Sequence, residues 1–304
     1  AEAIARLDYR KGTELGSQRL VAELEQTGKW DVVVRLYRQA LKLDAAAVKS
    51  HHETQQRKKV KFQTGQVANP VFIVGCGHSG TSIMLALLGS HPSFYPIQKE
   101  SAIFLKSDDV VQKSMVGWDD ACVKKNRARW IEKTPPHIFQ ISRFLSFRPE
   151  SQFIILLRDG RDVVSSLKHR IGYEKFEDRL DRWIYDNLAG LEYWDHPQVT
   201  VVKYESLVES PVKELKSICR FLGENYYKNM LDYHKKEHLW YSDEITKPEK
   251  LKNESDHKDL RNWQINQPLY DGRGRWEKEM SAEEKNMFKR SVAQRYLEQF
   301  GYVQ

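Results

Sequence analysis

The stretch that decides the fold is Pro70 to Ser82, PVFIVGCGHSGTS. It begins with a short apolar run, Val71 to Val74, which predicts a buried β-strand. A glycine-rich turn follows, and the residues from Thr81 onward predict a helix. Backbone N–H groups converge in such a turn, and the positive end of the helix dipole favours a bound anion. The stretch therefore predicts a phosphate or sulfate site.

The spacing of this turn nearly matches the phosphate-binding loop of ATP-dependent proteins, G-x-x-x-x-G-K-[ST]. Gly75, Gly80 and Ser82 occupy the motif positions, but Thr81 stands where the motif has lysine. That lysine normally reaches the β- and γ-phosphates. The loop therefore predicts a phosphate-bearing nucleotide other than ATP.

A second apolar strand also ends in basic residues. Gln152 to Arg158, QFIILLR, runs into RDGRDVVSSLKHR, in which Ser166 follows Arg158 by eight positions. An arginine fork at a strand end and a hydroxyl in the following helix form a second predicted phosphate site.

A third basic segment lies late in the chain, in DGRGRWEKE, residues 271–279. It places Arg273 and Arg275 in a glycine-containing loop beside Trp276. Two phosphate sites and a basic loop with an aromatic residue suit a nucleotide with separated 5′ and 3′ phosphates.

In this order, the three motifs resemble those of sulfotransferases that use 3′-phosphoadenosine-5′-phosphosulfate (PAPS). HSGTS, residues 78–82, resembles the family loop [RK]-x-G-T-[TS], which binds the 5′-phosphosulfate. The R-x₇-S element from Arg158 to Ser166 resembles the 3′-phosphate element, and GRGRW, residues 272–276, resembles the loop that covers the nucleotide. The resemblance runs from about Pro70 to the C-terminus. Among the branches of the family, the sequence most resembles the tyrosylprotein and the bacterial small-molecule sulfotransferases.

The resemblance implies PAPS as co-substrate, adenosine 3′,5′-bisphosphate (PAP) as product, and no metal. It also implies which residues hold the nucleotide, by matching the family motifs. These are Cys76, Gly77, His78, Ser79, Gly80, Thr81, Ser82, Arg158, Ser166, Tyr204, Arg273, Gly274, Arg275 and Trp276.

Sulfuryl transfer needs a base for the acceptor, a cation or acid for the leaving phosphate, and a donor held in line. The resemblance implies Glu100, in HPSFYPIQKESAIF, as the general base. The alternative is an ordinary acidic residue at a helix N-terminus beside Ser101. The rivals for the base are Glu132, His91, His137 and His169.

Two basic residues are the other catalytic candidates. His78 stands where the family has arginine or lysine, and an imidazole can donate to the same bridging oxygen. Its reference pKa is about 6.5, and we expect surrounding anions to favour the charged form. Lys133, in IEKTPPHIF, resembles the family K-x-P element and would neutralise the transferring sulfonate. The alternative for that motif is a helix start at Thr134-Pro135-Pro136.

Alternating strands and helices from Pro70 onward predict an α/β fold, a P-loop-like central parallel sheet with helices on both faces. Ligands of such sheets bind at the carboxyl ends of the strands. Residues 235–269 lack periodicity and predict a long surface loop of the kind that forms lids. The candidate strands are Val71–Val74, Phe94–Pro96, Arg129–Glu132, Gln152–Arg158 and Val199–Tyr204. The candidate helices lie near 81–88, 101–111, 136–147, 161–170, 176–193, 211–222 and 282–300.

The first part of the chain has a different pattern. Ser17–Glu25 and Trp30–Leu43 carry apolar residues at helical spacing, with Gly28 between them. We therefore predict an N-terminal helical extension, residues 1–65, and a sulfotransferase domain, residues 66–304. The extension is either an added helical layer or an element for dimerisation or partner docking.

The composition of the chain limits the classes of binding partner that we expect. The chain has 304 residues and a formal net charge of +7. An excess of positive charge suits the binding of an anionic nucleotide substrate. No nucleic-acid-binding motif is visible, so we expect no nucleic acid partner. Its three cysteines show neither a disulfide framework nor zinc spacing. No apolar run reaches the roughly 18 residues of a membrane span, and we expect none.

The remaining expectations are less specific. The acceptor is a small-molecule or peptide hydroxyl, with a small molecule favoured, and a homodimer stays open. The cytoplasm is slightly favoured, while the Golgi lumen stays open if an upstream anchor was removed. The competing functions are a P-loop kinase-like phosphotransferase and a non-catalytic nucleotide-binding docking protein.

Overall fold

The structure is a computed structural model that describes residue 67, residues 69–249, residue 251 and residues 253–303. The N-terminal helical extension, residues 1–65, lies outside the described residues. That extension and the domain boundary after residue 65 therefore stay predictions.

The predicted sheet is confirmed. Five strands pair in parallel throughout, in the order β2-β3-β1-β4-β5. β1 is central, and all five of its residues are buried because both faces of the sheet are covered. The strands are β1 Val71–Gly75, β2 Phe94–Pro96, β3 Arg129–Lys133, β4 Gln152–Leu157 and β5 Val199–Lys203.

The helices alternate with these strands. In the described part of the chain, no helix has the length and apolar character needed to cross a membrane. Up to β5 the helices are α1 Thr81–Gly89, α2 Asp108–Lys124, α3 Ile141–Phe147, α4 Gly160–Leu167 and α5 Phe176–Leu191. After β5 they are α6 Tyr204–Glu209, α7 Pro211–Leu222, α8 Glu254–Ile265, α9 Trp276–Glu279, α10 Ala282–Arg290 and α11 Val292–Gln299.

Alternate residues of β1 face two different layers of the core, as the period of two in a strand requires. Val71 and Ile73 pack with the apolar residues of α1 and α7. On the opposite face, the ring of Phe72 lies 4.9 Å from that of Phe144 and 5.1 Å from that of Phe153. Helices therefore cover both faces, which confirms the predicted class.

The helix predicted near 101–111 is wrong. A 3₁₀-helix covers Ile103–Leu105, and α2 begins only at Asp108. Ser107 has an extended backbone, and Asp108 and Asp109 lie in the first turn, where the helix dipole favours carboxylates. The apolar stripe of α2 is narrow, so the sequence shows it weakly. Its buried residues are Val111, Met115, Asp119 and Cys122.

Two further differences from the predicted helices lie in the second half of the chain. The predicted surface loop 235–269 contains α8, which begins with a reciprocal cap between Asn253 and Asp256. The helix predicted over 282–300 is two helices, α10 and α11. Ser291 separates them, and its hydroxyl accepts a hydrogen bond from the backbone N–H of Ala293.

Candidate nucleotide and catalytic site

The loop after β1 fits its neighbours only with glycine at two positions. Gly75 has φ +135°, and a Cβ there would lie 2.5 Å from the carbonyl oxygen of Leu156 in β4. Gly80 has φ +91°, and a Cβ there would lie 2.8 Å from the Tyr204 ring. The loop thus crosses the carboxyl ends of β4 and β5. Because α1 begins at Thr81, its first backbone N–H groups lie in this loop.

His78 joins the first two predicted phosphate motifs. Its backbone has φ +70°, a left-handed conformation. Its Nδ1 lies 2.8 Å from Oγ of Ser166 in α4, 88 positions along the chain. The structure thus brings together two of the predicted nucleotide-binding residues from different βα units.

The expectation that surrounding anions favour the charged form of His78 is wrong. The protein's own groups around this side chain instead favour the neutral form. Burial lowers the pKa of His78 well below its ordinary value, and the charge of Arg182 lowers it further. Arg170, Arg261 and His257 act in the same direction. The groups around His78 are cations rather than anions, so its imidazole is neutral at neutral pH. The site as a whole concentrates positive charge, as an anion site requires.

This electrostatic arrangement predicts the titration of His78. We expect its imidazole, followed by NMR in the protein without added ligand, to gain a proton only well below pH 6.5. Arg182→Gln removes the largest cationic contribution and should raise the midpoint, because the charged form then has less repulsion to overcome. Arg220→Met, an exposed position on α7, is the matched control and should leave it unchanged. A midpoint at or above 6.5 in the unsubstituted protein would contradict the argument.

Arg182 is a residue that the sequence analysis missed. It lies on α5, and a Cβ on Gly77 would be 2.5 Å from its Nη2. Its Nε lies 3.6 Å from the carboxylate of Asp186, one helical turn later. A buried guanidinium therefore lies directly against the glycine-rich loop. Only the packing of α5 under the loop reveals it.

Arg158 connects the loop with the third motif. It follows β4 and is 8% exposed. Its Nη1 donates to the carbonyl oxygen of His78 at 3.0 Å, and its Nη2 donates to that of Gly272 at 2.6 Å. The guanidinium carbon lies 4.4 Å from the centre of the Tyr204 ring. Three segments of the predicted nucleotide site meet at this one side chain.

Tyr204 anchors the start of the third motif. Its hydroxyl donates to the carbonyl oxygen of Tyr270 at 3.0 Å and accepts from the backbone N–H of Gly272 at 3.2 Å. Burial raises the pKa of Tyr204 to about 12, although the charge of Arg158 acts in the opposite direction. The hydroxyl therefore stays protonated and keeps both roles.

Asp162 of α4 is buried and organises the third motif. Its carboxylate accepts from the backbone N–H groups of Gly274 at 2.9 Å and of Trp276 at 3.0 Å. It fixes the loop that carries the predicted nucleotide contacts. A single acidic residue in a helix gives no sequence signal for such a long-range contact.

The remaining side chains of the third motif contact side chains outside the glycine-rich loop. Arg273 pairs with Asp271 at 2.8 Å, and Arg275 pairs with Glu279 at 2.6 Å. Both arginines are exposed. Trp276 lies against the guanidinium of Arg161, whose carbon is 4.2 Å from the ring centre. The structure does not bring these side chains onto the glycine-rich loop, and their nucleotide contacts stay predictions.

Glu100 and Lys133, two of the three predicted catalytic residues, are in direct contact. Lys133 ends β3, is 1% exposed, and donates from Nζ to Oε1 of Glu100 at 2.5 Å. Arg261 of α8 donates to the same oxygen at 2.8 Å. The ring of Tyr241 lies 4.9 Å from Nζ of Lys133 and 5.0 Å from the guanidinium carbon of Arg261. The carboxylate is thus held by two cations.

These cations decide the protonation of Glu100. Burial alone would raise its pKa, but the charges of Arg261 and Lys133 lower it well below the usual range of a glutamate. Glu100 is therefore a carboxylate at neutral pH. Because no α-helix begins at Ser101, the alternative of an ordinary helix N-terminal charge is wrong. Arg261 was missed because α8 was not predicted.

The rival bases occupy structural positions. Glu132 is fully buried beside His137, whose Nδ1 lies 2.9 Å from Oε2. His91 is buried and bonded to the backbone, with Nε2 2.7 Å from the carbonyl oxygen of Asn225. His169 is exposed just beyond α4. Glu100, in contrast, is in direct contact with Lys133.

Three other residues of the loop, Cys76, Ser79 and Thr81, are buried, and their nucleotide contacts stay predictions. The hydroxyl of Ser82 lies 3.4 Å from that of Tyr241, so the segment before α8 reaches the loop. The glycine-rich loop and the Glu100–Lys133 pair therefore border one region at the carboxyl edge of the sheet.

A parallel sheet with a glycine-rich loop after its central strand, and basic residues at neighbouring strand ends, defines a P-loop-like nucleotide-binding α/β protein. The model of the sulfotransferase family matches residues 109–229 of this chain. The matched residues include Lys133, Arg158 and Ser166, while His78 and Glu100 precede them.

Three known proteins, two similar in sequence and one in structure, resemble this chain. An uncharacterized protein of Aquifex aeolicus is 23% identical over 204 residues, 55% of this chain and 27% of that protein. Protein-tyrosine sulfotransferase 2 of Gallus gallus is 24% identical over 211 residues, 57% of this chain and 56% of that protein. The matches thus span about a quarter and about half of these relatives. A mouse sulfotransferase solved in complex with PAP has a TM-score of 0.47 and 15% identity, covering 77% of this chain and 89% of that one.

Proposed function

We propose that this chain transfers a sulfuryl group from PAPS to an acceptor hydroxyl and releases PAP. The observation that carries the proposal is the contact between His78 and Ser166. It unites the loop suited to a 5′-phosphosulfate with the helix suited to a 3′-phosphate. A nucleotide that carries phosphate at both ends of its ribose uses both sites, whereas ATP has no group for the second.

The nucleotide would be held by the chain's own donors. The backbone N–H groups of the loop from Cys76 to Ser82 would bind the 5′-phosphosulfate at the N-terminus of α1. Arg158 and Ser166 would bind the 3′-phosphate through charge-assisted hydrogen bonds. The loop residues Arg273, Gly274, Arg275 and Trp276, with Tyr204 beneath them, would cover the nucleotide.

The transfer step would use the residues around Glu100. The acceptor oxygen attacks sulfur while the bond between sulfur and the bridging phosphate oxygen breaks, and the acceptor proton passes to Glu100. Lys133 would neutralise the charge on the transferring sulfonate, and His78 would donate a hydrogen bond to the bridging oxygen. Because Arg261 weakens Glu100 as a base, its contact must loosen as the acceptor binds.

The acceptor class follows from weaker evidence. A small-molecule hydroxyl is the favoured acceptor, and a tyrosine in a peptide is the alternative. The kinase-like alternative lacks support at position 81, because Thr81 replaces the phosphate-binding lysine. A docking protein without catalysis has no need of the Glu100–Lys133 contact beside the nucleotide loop.

Nucleotide selectivity tests this function. We expect calorimetric titration with EDTA present to give micromolar or tighter binding of PAP, with AMP and ATP bound much more weakly. AMP lacks the 3′-phosphate, so its loss of affinity measures the site at Arg158 and Ser166. Equal or tighter binding of ATP, or binding of none of the three, would overturn the proposal.

A further inference from the structure

We propose that Glu132 is a positioning residue that sets Glu100 against Lys133, an inference that rests on the proposed function. Glu132 lies on β3, directly before Lys133, and is 0% exposed. A side chain with no access to solvent does not reach an acceptor, so it cannot itself be the base. Its contacts instead connect the two segments that carry Glu100 and Lys133.

One oxygen of Glu132 holds both segments. Its Oε1 accepts from the backbone N–H of Ser101 at 3.2 Å and from the Ser101 hydroxyl at 2.8 Å. The same oxygen accepts from the hydroxyl of Thr134 at 2.6 Å. Oγ1 of Thr134 in turn accepts from the backbone N–H of Ser101 at 3.1 Å. Ser101 follows Glu100 and Thr134 follows Lys133, so the network joins the immediate neighbours of the catalytic pair.

The second oxygen of Glu132 faces a histidine that is equally buried. Its Oε2 lies 2.9 Å from Nδ1 of His137, and both side chains are 0% exposed. The His137 ring is surrounded by the rings of Phe72, Phe104 and Phe144. Burial would raise the pKa of Glu132, but His137 and the hydroxyl donors hold it below its usual value. The network is therefore built around an anionic acceptor.

The loop that carries Glu100 needs such an anchor. Glu100 follows β2 outside any helix or strand, and Ala102, two residues later, has φ +49°. Lys133, in contrast, is fixed by the pairing of β3 with β1, where it lies opposite Ile73. Glu132 transmits the rigidity of the sheet to the loop. A misplacement of about 1 Å in a reacting group lowers a rate by about 10²-fold, so this anchor matters for catalysis.

The first test uses Thr134→Val, which keeps the shape of the side chain and removes the bridging hydroxyl. We expect kcat for transfer from PAPS to 4-nitrophenol to fall by about 10- to 100-fold. The Kd for PAP should change by less than about threefold, because the network does not touch the glycine-rich loop. Thr134→Ser restores the hydroxyl and should recover most of kcat. In a Glu100→Gln background, Thr134→Val should cause no further loss, because both changes act through one residue.

The second measurement does not depend on the acceptor. We expect amide hydrogen exchange of the peptide containing Ser101 to accelerate by about tenfold or more in Thr134→Val, with exchange in the strands of the sheet unchanged. Glu132→Gln keeps the shape of the side chain but removes the anionic acceptor of the two Ser101 hydrogen bonds, and it should accelerate this exchange at least as much. Unchanged exchange at Ser101 in both variants would overturn the positioning role, as would an unchanged kcat in both or equal losses with and without Glu100. Failure of the unsubstituted protein to bind PAP would instead overturn the proposed function, and the exchange result would still decide whether the anchor exists.

Discussion

Replacing Arg158 with methionine should weaken PAP binding by about 10²- to 10³-fold. A charge-assisted hydrogen bond contributes about 1.5–3 kcal/mol, and the guanidinium fork would supply more than one to a phosphate. The substitution also leaves the carbonyl oxygens of His78 and Gly272 without their donor. Both effects act on the same site, because these carbonyls belong to the two loops that we propose to flank the nucleotide. Calorimetric titration of PAP measures the loss directly.

Two further variants make the interpretation specific. Arg158→Lys keeps the positive charge without the fork and should lose less affinity than Arg158→Met. Arg220→Met removes the same type of side chain from an exposed position on α7 and should bind PAP within about twofold of the unsubstituted protein. Binding by Arg158→Met within a few-fold of normal would show that the 3′-phosphate lies elsewhere.

Replacing Glu100 with glutamine should lower kcat by about 10²- to 10⁴-fold, the usual contribution of a general base. The KM for PAPS should change little, because Glu100 is proposed to contact the acceptor rather than the nucleotide. Steady-state kinetics with PAPS and 4-nitrophenol separates the two parameters. A variant that keeps normal turnover would remove Glu100 from the mechanism.

The same carboxylate predicts a pH dependence. A base acts in its ionised form, which exists above its pKa, and Arg261 holds the pKa of Glu100 low. Removing that cation with Arg261→Gln should raise the pKa and move the acid limb of kcat to higher pH. Lys258→Gln, an exposed position on the same helix, is the matched control and should leave the limb in place. A shift to lower pH in Arg261→Gln would contradict this account.

The sheet could be predicted from the sequence because its signal is local. Each strand of a parallel sheet is buried on both faces and therefore is a short apolar run, as in FIVG of β1 and FIILL of β4. α8 could not be predicted in this way, since its sequence ESDHKDLRNWQI is mostly polar. Its boundary depends on the cap formed by Asn253 and Asp256, a pair of common surface residues.

In the candidate site as well, the sequence predicts the residues that are close together in the chain and misses those that are far apart. Arg158 and Ser166 are eight positions apart and lie in one strand–helix unit, so spacing alone finds them. Arg182, Asp162 and Arg261 contact segments that lie 105 to 161 positions away in the chain. Such contacts exist only after the sheet has brought the segments together. Sequence reasoning therefore finds the motifs and misses the charges that tune them.

The backbone conformation of His78 lowers the stability of the loop, while its side chain serves the proposed reaction. A residue with a Cβ in the left-handed conformation costs about 1–2 kcal/mol relative to the right-handed one, a penalty that glycine avoids. At φ +70°, His78 carries that conformational strain in the loop where its imidazole meets Ser166. Selection for folding alone would favour glycine at this position, and selection for the reaction would favour the ring. Position 78 is thus a point of trade-off, where a more robust protein and a more active one would differ in sequence.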